Sequence, residues 1–357
     1  MDIIASNSPY ILNVATRDTN GNALGEYKVY IGTTVSDDYL IYTGKLYSDE
    51  SGVAVTKPVD LQPILVNYTP SNIGIMQNRT SGFLPNPTYS NVYQRFTVVY
   101  DTVSGSTATK ELYMLYCSEN ATREEMGWDS STSTFPYIAN DFIQNKYVAG
   151  TYFSLLQLCP DGGDGVTMTL TETTQDGSTY TSIWNYANGS YRGGGTLPLH
   201  DNTASFSIDI DGDTAVSNME VVNCLPENSY ILYYVNTLGA IDWIICDKKN
   251  SVTYNADRHS MTMYANIQDR TKFGKINYLN NTTKTWSLNT DIMNDVQSKQ
   301  MYKVFNSEYL WLYDVDKGQI NSVVLEDASL KIKRFDADKK IYNYTITVKS
   351  SQTFTIQ

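Results

Sequence analysis

The two histidines of the sequence, His200 and His259, are the first candidates for acid–base or nucleophilic chemistry. A histidine-dependent hydrolase pairs its base with a nucleophile, such as a cysteine or the serine of a Gly-x-Ser-x-Gly turn. Neither histidine has such a partner, or a metal-binding neighbour, beside it in sequence. Catalytic triads assemble from distant parts of a chain, so spacing alone leaves the question open. We favour surface or loop positions for both histidines.

The densest acidic motif is Asp209-Ile210-Asp211-Gly212-Asp213-Thr214, followed by Glu220. Oxygen ligands at the first, third, fifth and twelfth positions match the spacing of a calcium-binding loop. However, glycine stands at the fourth position of the motif rather than the sixth, and the preceding Ser205–Ile208 has the pattern of a strand rather than a helix. The motif therefore predicts a strand that ends in an Asp-Gly turn, and no metal site.

Three other features carry weaker chemical signals. Paired carboxylates about 5 to 9 Å apart hydrolyse glycosides, but sequence does not identify such a pair. The Gly193-Gly194-Gly195 run lacks the Lys-Ser or Lys-Thr of a phosphate-binding loop, so it predicts a flexible hairpin tip. The abundant tyrosines permit an aromatic groove for sugar rings, although their distribution along the whole chain favours ordinary strand positions. We expect no catalytic residue, no cofactor and no metal, and hence no enzyme.

The composition favours a mainly β protein and limits its partners. Of 357 residues, 29 are tyrosine and 18% are charged; tyrosine and threonine favour strands, whereas the abundant Asn and Ser favour turns. The 26 basic and 38 acidic residues give a net charge of -12, which repels phosphate backbones and anionic membrane surfaces. Sequence-specific nucleic-acid binding is thereby disfavoured, but an acidic wall past which DNA slides is compatible with this charge.

Targeting signals and cysteine use point to a reducing compartment. The first residues show no basic segment followed by a long apolar one, and nowhere do about 18 apolar residues run together. We therefore expect no ordinary signal peptide and no membrane span. The four cysteines are too widely spaced for a zinc knuckle and too few for a disulfide scaffold. We expect reduced, buried thiols at Cys117, Cys159, Cys224 and Cys246.

The segment from Cys224 to Asp247 is predicted to be a β-hairpin at the centre of the fold. Two aromatic and β-branched runs, Tyr230–Val235 and Ala240–Cys246, are each of strand length. Between them, Asn236 and Gly239 tolerate the positive φ of a tight connection, which predicts a four-residue loop. Neither run alternates between apolar and polar residues, so both faces of the hairpin are expected to be covered.

Short strand-like segments recur along the chain and indicate three β-rich domains. Residues 1–117 have the strand spacing of an antiparallel, immunoglobulin-like β-sandwich. A polar, irregular stretch follows, and residues 118–223 are predicted to form a β-rich middle domain. Residues 224–357 are predicted to form a C-terminal β-sandwich-like domain. The fold class is therefore mainly β.

One helix, near residues 291–305, is predicted within the C-terminal domain. Thr290 has the residue type of an N-cap, and Asp291 suits the first helical turn. Apolar residues recur at helical spacing and predict one buried side. These residues are Ile292, Met293, Val296, Met301 and Val304.

Several motifs, in order, resemble tail-associated virion proteins of phages of gut Bacteroidetes, including the tail ring proteins of crAss-like phages. The most specific is a cysteine, a strand, and then Val-Asn, an apolar residue and Gly-Ala. The sequence departs from the family pattern at Asp242-Trp243 and in its Gly-rich insert. The matching segments are Cys224, Tyr230–Ala240, Trp286–Thr290, Glu308–Tyr313 and Asn343–Val348, with looser matches at Ser8–Ile11 and Tyr27–Ile31.

This resemblance implies a structural protein of a tailed bacteriophage, present as a ring of identical copies in a tail ring or barrel around the DNA channel. Its implied partners are other copies of itself and neighbouring tail proteins, with non-specific proximity to phage DNA and no membrane. Its implied location is the virion tail, after synthesis in the host cytoplasm. The alternative functions are a phage module that binds glycans or the host surface, and a depolymerising hydrolase.

Overall fold

The computed structural model describes residues 2–5, 9–16, 24–47, 55–68, 84–85, 93–115, 137–138, 140, 142–158, 166–186, 191–210, 212–237, 239–262, 275–326, 342–352 and 354–356. Within these residues the protein is mainly β, with several antiparallel sheets and short helices near the C-terminal end, so the predicted fold class is confirmed. Two compact units are present. Unit 1 contains Met1–Asp141, Ala149–Val221 and Val235–Ile241, and unit 2 contains Phe142–Val148, Val222–Tyr234 and Asp242–Gln357.

The first half of the chain contributes strands β1 (Asp2–Ala5), β2 (Ile11–Ala15), β3 (Leu24–Ile31), β4 (Leu40–Tyr47), β5 (Thr56–Asp60), β6 (Leu84–Pro85), β7 (Tyr93–Asp101), β8 (Thr107–Leu115), β9 (Tyr137–Ile138), β10 (Lys146–Val148), β11 (Phe153–Leu158) and β12 (Val166–Thr174). The second half contributes β13 (Thr179–Tyr186), β14 (Tyr191–Gly195), β15 (Thr203–Ile210), β16 (Asp213–Val222), β17 (Tyr230–Val235), β18 (Ile241–Cys246), β19 (Ser251–Thr262), β20 (Lys275–Asn289), β21 (Leu310–Asp314), β22 (Gln319–Leu325), β23 (Thr345–Ser350) and β24 (Phe354–Ile356). The α-helices are α1 (Gln62–Leu65), α2 (Asp295–Gln300) and α3 (Tyr302–Phe305).

The N-terminal part of unit 1 is a sandwich-like arrangement of two sheets. Strands β1, β8, β7, β3 and β4 lie side by side in that order, and β2 pairs with β5 in a second sheet. The inward residues of both sheets and of α1 share one apolar core, which the alternating pattern of the strands predicts. This core contains Leu12, Val14, Tyr27, Val29, Leu61, Leu65, Phe96, Val98, Leu112 and Met114.

Tyr27 on the neighbouring strand leaves no room for a side chain at Gly44 on β4. The two residues are direct cross-strand partners, and a Cβ at Gly44 would overlap the Tyr27 ring at Cζ. Burial raises the pKa of the Tyr27 phenol to about 12, with further contributions from the neighbouring Tyr42 and its hydrogen bond. The ring thus fills the space that any other side chain at position 44 would need.

Substitution Gly44→Ala is expected to destabilise unit 1 by about 1–3 kcal/mol, because the added methyl group forces a buried ring out of its position. Thermal unfolding of the variant measures the loss. Thr43→Ala, at an exposed position of the same strand, is the matched control and is expected to change stability by less than about 0.5 kcal/mol. An equal effect of the two substitutions would contradict the proposed contact.

The remainder of unit 1 contains two further groups of strands. Strands β13, β12, β15 and β16 lie side by side and antiparallel. Strands β6, β14, β11 and β9 form a separate sheet. The predicted hairpin tip at Gly193–Gly195 is wrong, because Gly193 and Gly194 lie within β14 and pair with β11 on one side and β6 on the other. The three glycines of β14 have no side chains to pack, so the sequence shows no apolar pattern that would predict a strand there.

The centre of unit 2 is an eight-stranded sheet in the order β18, β17, β21, β22, β23, β20 and β19, with β24 also pairing with β20. The predicted hairpin and its burial on both faces are confirmed, since every residue of β17 and β18 is buried, but β18 is the end strand of this sheet and not a middle one. In the loop between these strands, Asn236 N–H donates to the Ala240 carbonyl at 2.8 Å, and Asn236 Oδ1 accepts from Ala240 N–H at 3.0 Å. Gly239 has the expected positive φ of +85°, whereas Asn236 closes the loop through its side chain.

A helical region lies close to the predicted one but begins four residues later. Asn294 caps α2 and forms a reciprocal capping box with Gln297, at 2.9 and 3.0 Å. The predicted cap at Thr290 is wrong, because Thr290 still belongs to the sheet pairing: its backbone N–H donates to Tyr344 O at 2.9 Å and its Oγ1 accepts from Tyr344 N–H at 3.0 Å.

The predicted apolar side of this helix is correct only in part. Met293, Met301 and Val304 are fully buried, whereas Ile292 and Val296 are 60% and 64% exposed. The helix begins only after its cap Asn294, so the helical spacing assumed for Ile292 does not apply. The division into domains at residues 117 and 223 stays a prediction; the predicted C-terminal domain falls largely in unit 2 and the two preceding segments largely in unit 1.

Candidate functional site

The buried Glu172 on β12 forms a polar cluster with Thr203 and the partly exposed His200, which the sequence patterns above do not predict. The Glu172 side chain has no exposed surface. Its Oε2 accepts from the His200 backbone N–H at 2.9 Å and from the Thr203 hydroxyl at 2.7 Å, and His200 Nδ1 lies 3.3 Å away. The Tyr180 ring stacks on the imidazole with the centroids 4.2 Å apart. A buried carboxylate is thereby supplied with donors from one short loop.

The cluster holds the loop at residues 200–203 against β12. A carboxylate beside Nδ1 of an imidazole is the arrangement that orients a general base, which activates a hydroxyl, a thiol or a water molecule at its other nitrogen. Among the residues that the structure describes, no hydroxyl or thiol is hydrogen-bonded to His200 Nε2. His259 lies elsewhere, on β19, with Nε2 3.7 Å from the exposed Asp257. Both histidines occupy the surface or loop positions expected from the sequence.

The acidic motif after Asp209 is a hairpin, as its Asp-Gly turn predicts. Ile210 pairs with Asp213, and Gly212 between them has a φ of +93°. Asp209 lies opposite Thr214 and Glu220 lies opposite Ser205, so the two carboxylates are separated by about 13 Å along the strands. Asp211 lies outside the described residues. In the described part of the chain, no group of three or more His, Cys, Asp or Glu is placed to hold a metal ion.

The described cysteines differ in their environment. Cys246 is a free, buried thiol, and burial together with the nearby Asp247 raises its pKa. Cys224 is also free but exposed, so the expectation of burial is wrong for this residue. It follows β16 and precedes the central hairpin, where the chain runs along the surface. Cys117 and Cys159 lie outside the described residues.

Strand β19 is an exposed edge strand, and the hairpin that it forms with β20 is here called the arm. Strand β19 has 12 residues and spans about 40 Å, and Ser251 to Met261 are all exposed. Because successive strand residues point to opposite faces, both faces of β19 meet solvent. On one face, Tyr254 is 66% exposed and lies opposite Lys284, whose Nζ is 4.4 Å from the centroid of the Trp286 ring. Trp286 on the same face belongs to the core of unit 2, so this face is buried at Trp286 and reaches the surface at Lys284.

The arm is basic within an acidic chain. Residues 251–289 contain five Lys or Arg and two Asp, a net charge of +3. All other residues together carry a net charge of -15, which gives -12 for the whole chain. Arg258 follows Tyr254 by four positions on β19 and therefore shares its face with Lys284. This face combines two cations with an exposed aromatic ring.

A second open surface, here called the threonine face, is the outer side of β13, β12, β15 and β16. Its side chains alternate with the buried Met168, Leu170, Phe206 and Ile208. These four strands contain no Lys or Arg. The residues that form the threonine face include Thr169, Thr171, Ser205, Ser207, Asp209 and Glu220.

Strand β13 ends this set of strands and presents an uncharged run, Thr-Tyr-Thr-Ser-Ile-Trp-Asn-Tyr. Ile183 is 61% exposed and Tyr180 is 44% exposed. Natural edge strands are usually protected by charges, proline or short length, and β13 has none of these features. Its outer edge is therefore suited to pairing with another chain.

An aromatic pair lies at the start of β21 in unit 2. The rings of Tyr309 and Trp311 are stacked with an interplanar angle of 13° and centroids 6.1 Å apart, and both side chains are half-buried. Trp311 lies opposite the buried Tyr233 on β17. The pair offers a small aromatic surface.

The comparisons with known proteins give no assignment. Neither a protein-family model nor a curated protein matches this chain. None of the described helices is long and apolar enough to cross a membrane.

Proposed function

We propose that the chain is a non-enzymatic structural protein of a bacteriophage tail, which assembles with identical copies into a tail ring or barrel around the DNA channel. The proposal takes its identity from the motif resemblance described above. Its structural support comes from open surfaces on both compact units. The location that follows is the virion tail, and the partners are other copies of the chain and neighbouring tail proteins.

The exposed arm is the observation that carries the proposal. Strand β19 is the edge strand of its sheet, and Ser251 to Met261 are all exposed, whereas β20 beside it also pairs with β24 at Asn280 to Thr282 and with β23 at Thr285 to Asn289. A neighbouring subunit would bury the arm and stabilise it. The unprotected edge of β13 has the same requirement.

The charge of the chain fits a conduit for DNA better than a DNA-binding site. A net charge of -12 weakens contact with phosphates, so DNA passing along an acidic surface would not be retained. Ring assembly needs two different complementary surfaces on each copy, since a closed head-to-tail ring uses heterologous contacts. A basic arm on an acidic chain meets this need.

Native mass spectrometry and negative-stain electron microscopy of the purified full chain test the proposal. We expect a discrete oligomer with cyclic symmetry. High salt is expected to weaken it, because its contacts involve exposed charges. A chain that stays monomeric at every concentration and ionic strength tested would sink the proposal.

The stacked Tyr309–Trp311 pair favours one second candidate, a glycan-binding module. Aromatic faces stack on sugar rings, and two aligned rings make a small platform. A glycan array with the wild-type chain and Trp311→Ala separates the candidates: glycan binding that this substitution abolishes, by a monomeric chain, would favour the module over the ring.

A further inference from the structure

We infer that the basic face of the arm docks on the threonine face of the next copy of the chain. This inference rests on the proposed ring assembly and specifies its interface. Arg258 and Glu220 are exposed, and Lys284 and Asp209 are half-buried at the surface. The two surfaces belong to different compact units and carry opposite charge.

The charges on the two faces have the same spacing. On the arm, Lys284 lies opposite Tyr254, and Arg258 lies four positions further along β19. On the threonine face, Glu220 lies opposite Ser205, and Asp209 lies four positions further along β15. Each charged pair thus spans two adjacent strands with an offset of four residues, about 14 Å diagonally. Two cations can therefore meet two carboxylates in one arrangement.

The remaining chemistry of the faces is also complementary. The threonine face contains no cation that would repel the arm, and it adds short hydroxyl side chains that permit close approach of a flat ribbon. The exposed Ile183 at its margin offers an apolar contact for a ring such as Tyr254. Like charges across such an interface would be strongly unfavourable, so charge reversal is a sensitive probe.

Two charge-reversed variants test the inference. The first carries Arg258→Glu and Lys284→Glu on the arm, and the second carries Asp209→Lys and Glu220→Lys on the threonine face. Each variant alone is expected to associate at least about tenfold more weakly than the wild type, because both faces then have the same sign. An equimolar mixture is expected to regain association, since each reversed surface finds its complement on the other variant.

The mixture also distinguishes contacts between copies from contacts within one chain, because only the former can be restored by mixing. The control variant, Lys45→Glu with Lys299→Glu, makes the same change in net charge as the arm variant, at exposed positions outside both faces. It is expected to assemble like the wild type. Circular dichroism and thermal unfolding of each variant establish that it is folded.

Association is measured by sedimentation velocity. A wild-type chain that assembles while both reversed variants assemble equally well would overturn the inference and leave the proposed ring intact. Weak association of both variants with no recovery on mixing would also overturn it. A wild-type chain that never associates would instead overturn the proposed function itself.

Discussion

Substitution Trp243→Ala is expected to lower the free energy of unfolding of unit 2 by about 3–5 kcal/mol. Trp243 on β18 is 2% exposed and contacts the rings of Phe142, Tyr147 and Tyr233, with centroids 4.7, 6.1 and 6.4 Å away. Its indole N–H donates to the Lys146 carbonyl at 2.9 Å. The substitution therefore removes a large ring that packs against three aromatic neighbours, and it leaves the Lys146 carbonyl without this donor.

Trp311→Ala is the matched control, because Trp311 lies in the same sheet but is only half-buried. We expect it to cost clearly less than Trp243→Ala. Urea unfolding followed by the fluorescence of the remaining tryptophans measures both variants. Similar losses for the two substitutions would show that the Trp243 cluster is not a principal source of stability in unit 2.

The central hairpin shows how much of the fold the sequence can predict. Its two runs lack any polar alternation, and the structure buries every residue of both strands. A strand that is buried on both faces has apolar residues at nearly every position, so the sequence predicts this burial. What covers Trp243 was not, because Phe142 and Tyr147 are distant in sequence and their contact depends on the tertiary fold.

Local competition between elements limited the prediction of the helix. Thr290 and Asn294 are both good capping residues, and only the structure shows that Thr290 is committed to pairing with Tyr344. The prediction of the arm was limited for a different reason. Its segments were predicted as strands, but a strand-like pattern of polar and aromatic residues does not reveal that both faces lack cover. Exposure of this kind is a property of the assembled sheet.

Glu172 was missed although a signal for it exists. Strand β12 alternates inward Met168 and Leu170 with outward threonines, and this period places Glu172 on the inward side. A carboxylate at an inward position is rarely buried without partners, so it indicates a buried hydrogen-bonding site. The sequence could not identify the partners, because the loop at residues 200–203 reaches Glu172 only in the folded chain.

The second large effect is expected for Glu172→Ala, which should destabilise unit 1 by about 2–4 kcal/mol, because it removes the acceptor of the His200 backbone N–H and leaves the Thr203 hydroxyl with only the His200 carbonyl in place of the carboxylate. Hydrogen exchange of the His200 amide should accelerate together with the loss of stability. Glu172→Gln keeps one acceptor oxygen and the side-chain volume, so it should cost less than the alanine variant. Glu220→Ala, at an exposed position of the same set of strands, should change stability by less than about 0.5 kcal/mol. Unchanged exchange at His200 in the alanine variant would show that Glu172 does not hold this loop, and would return the cluster to consideration as a reactive site.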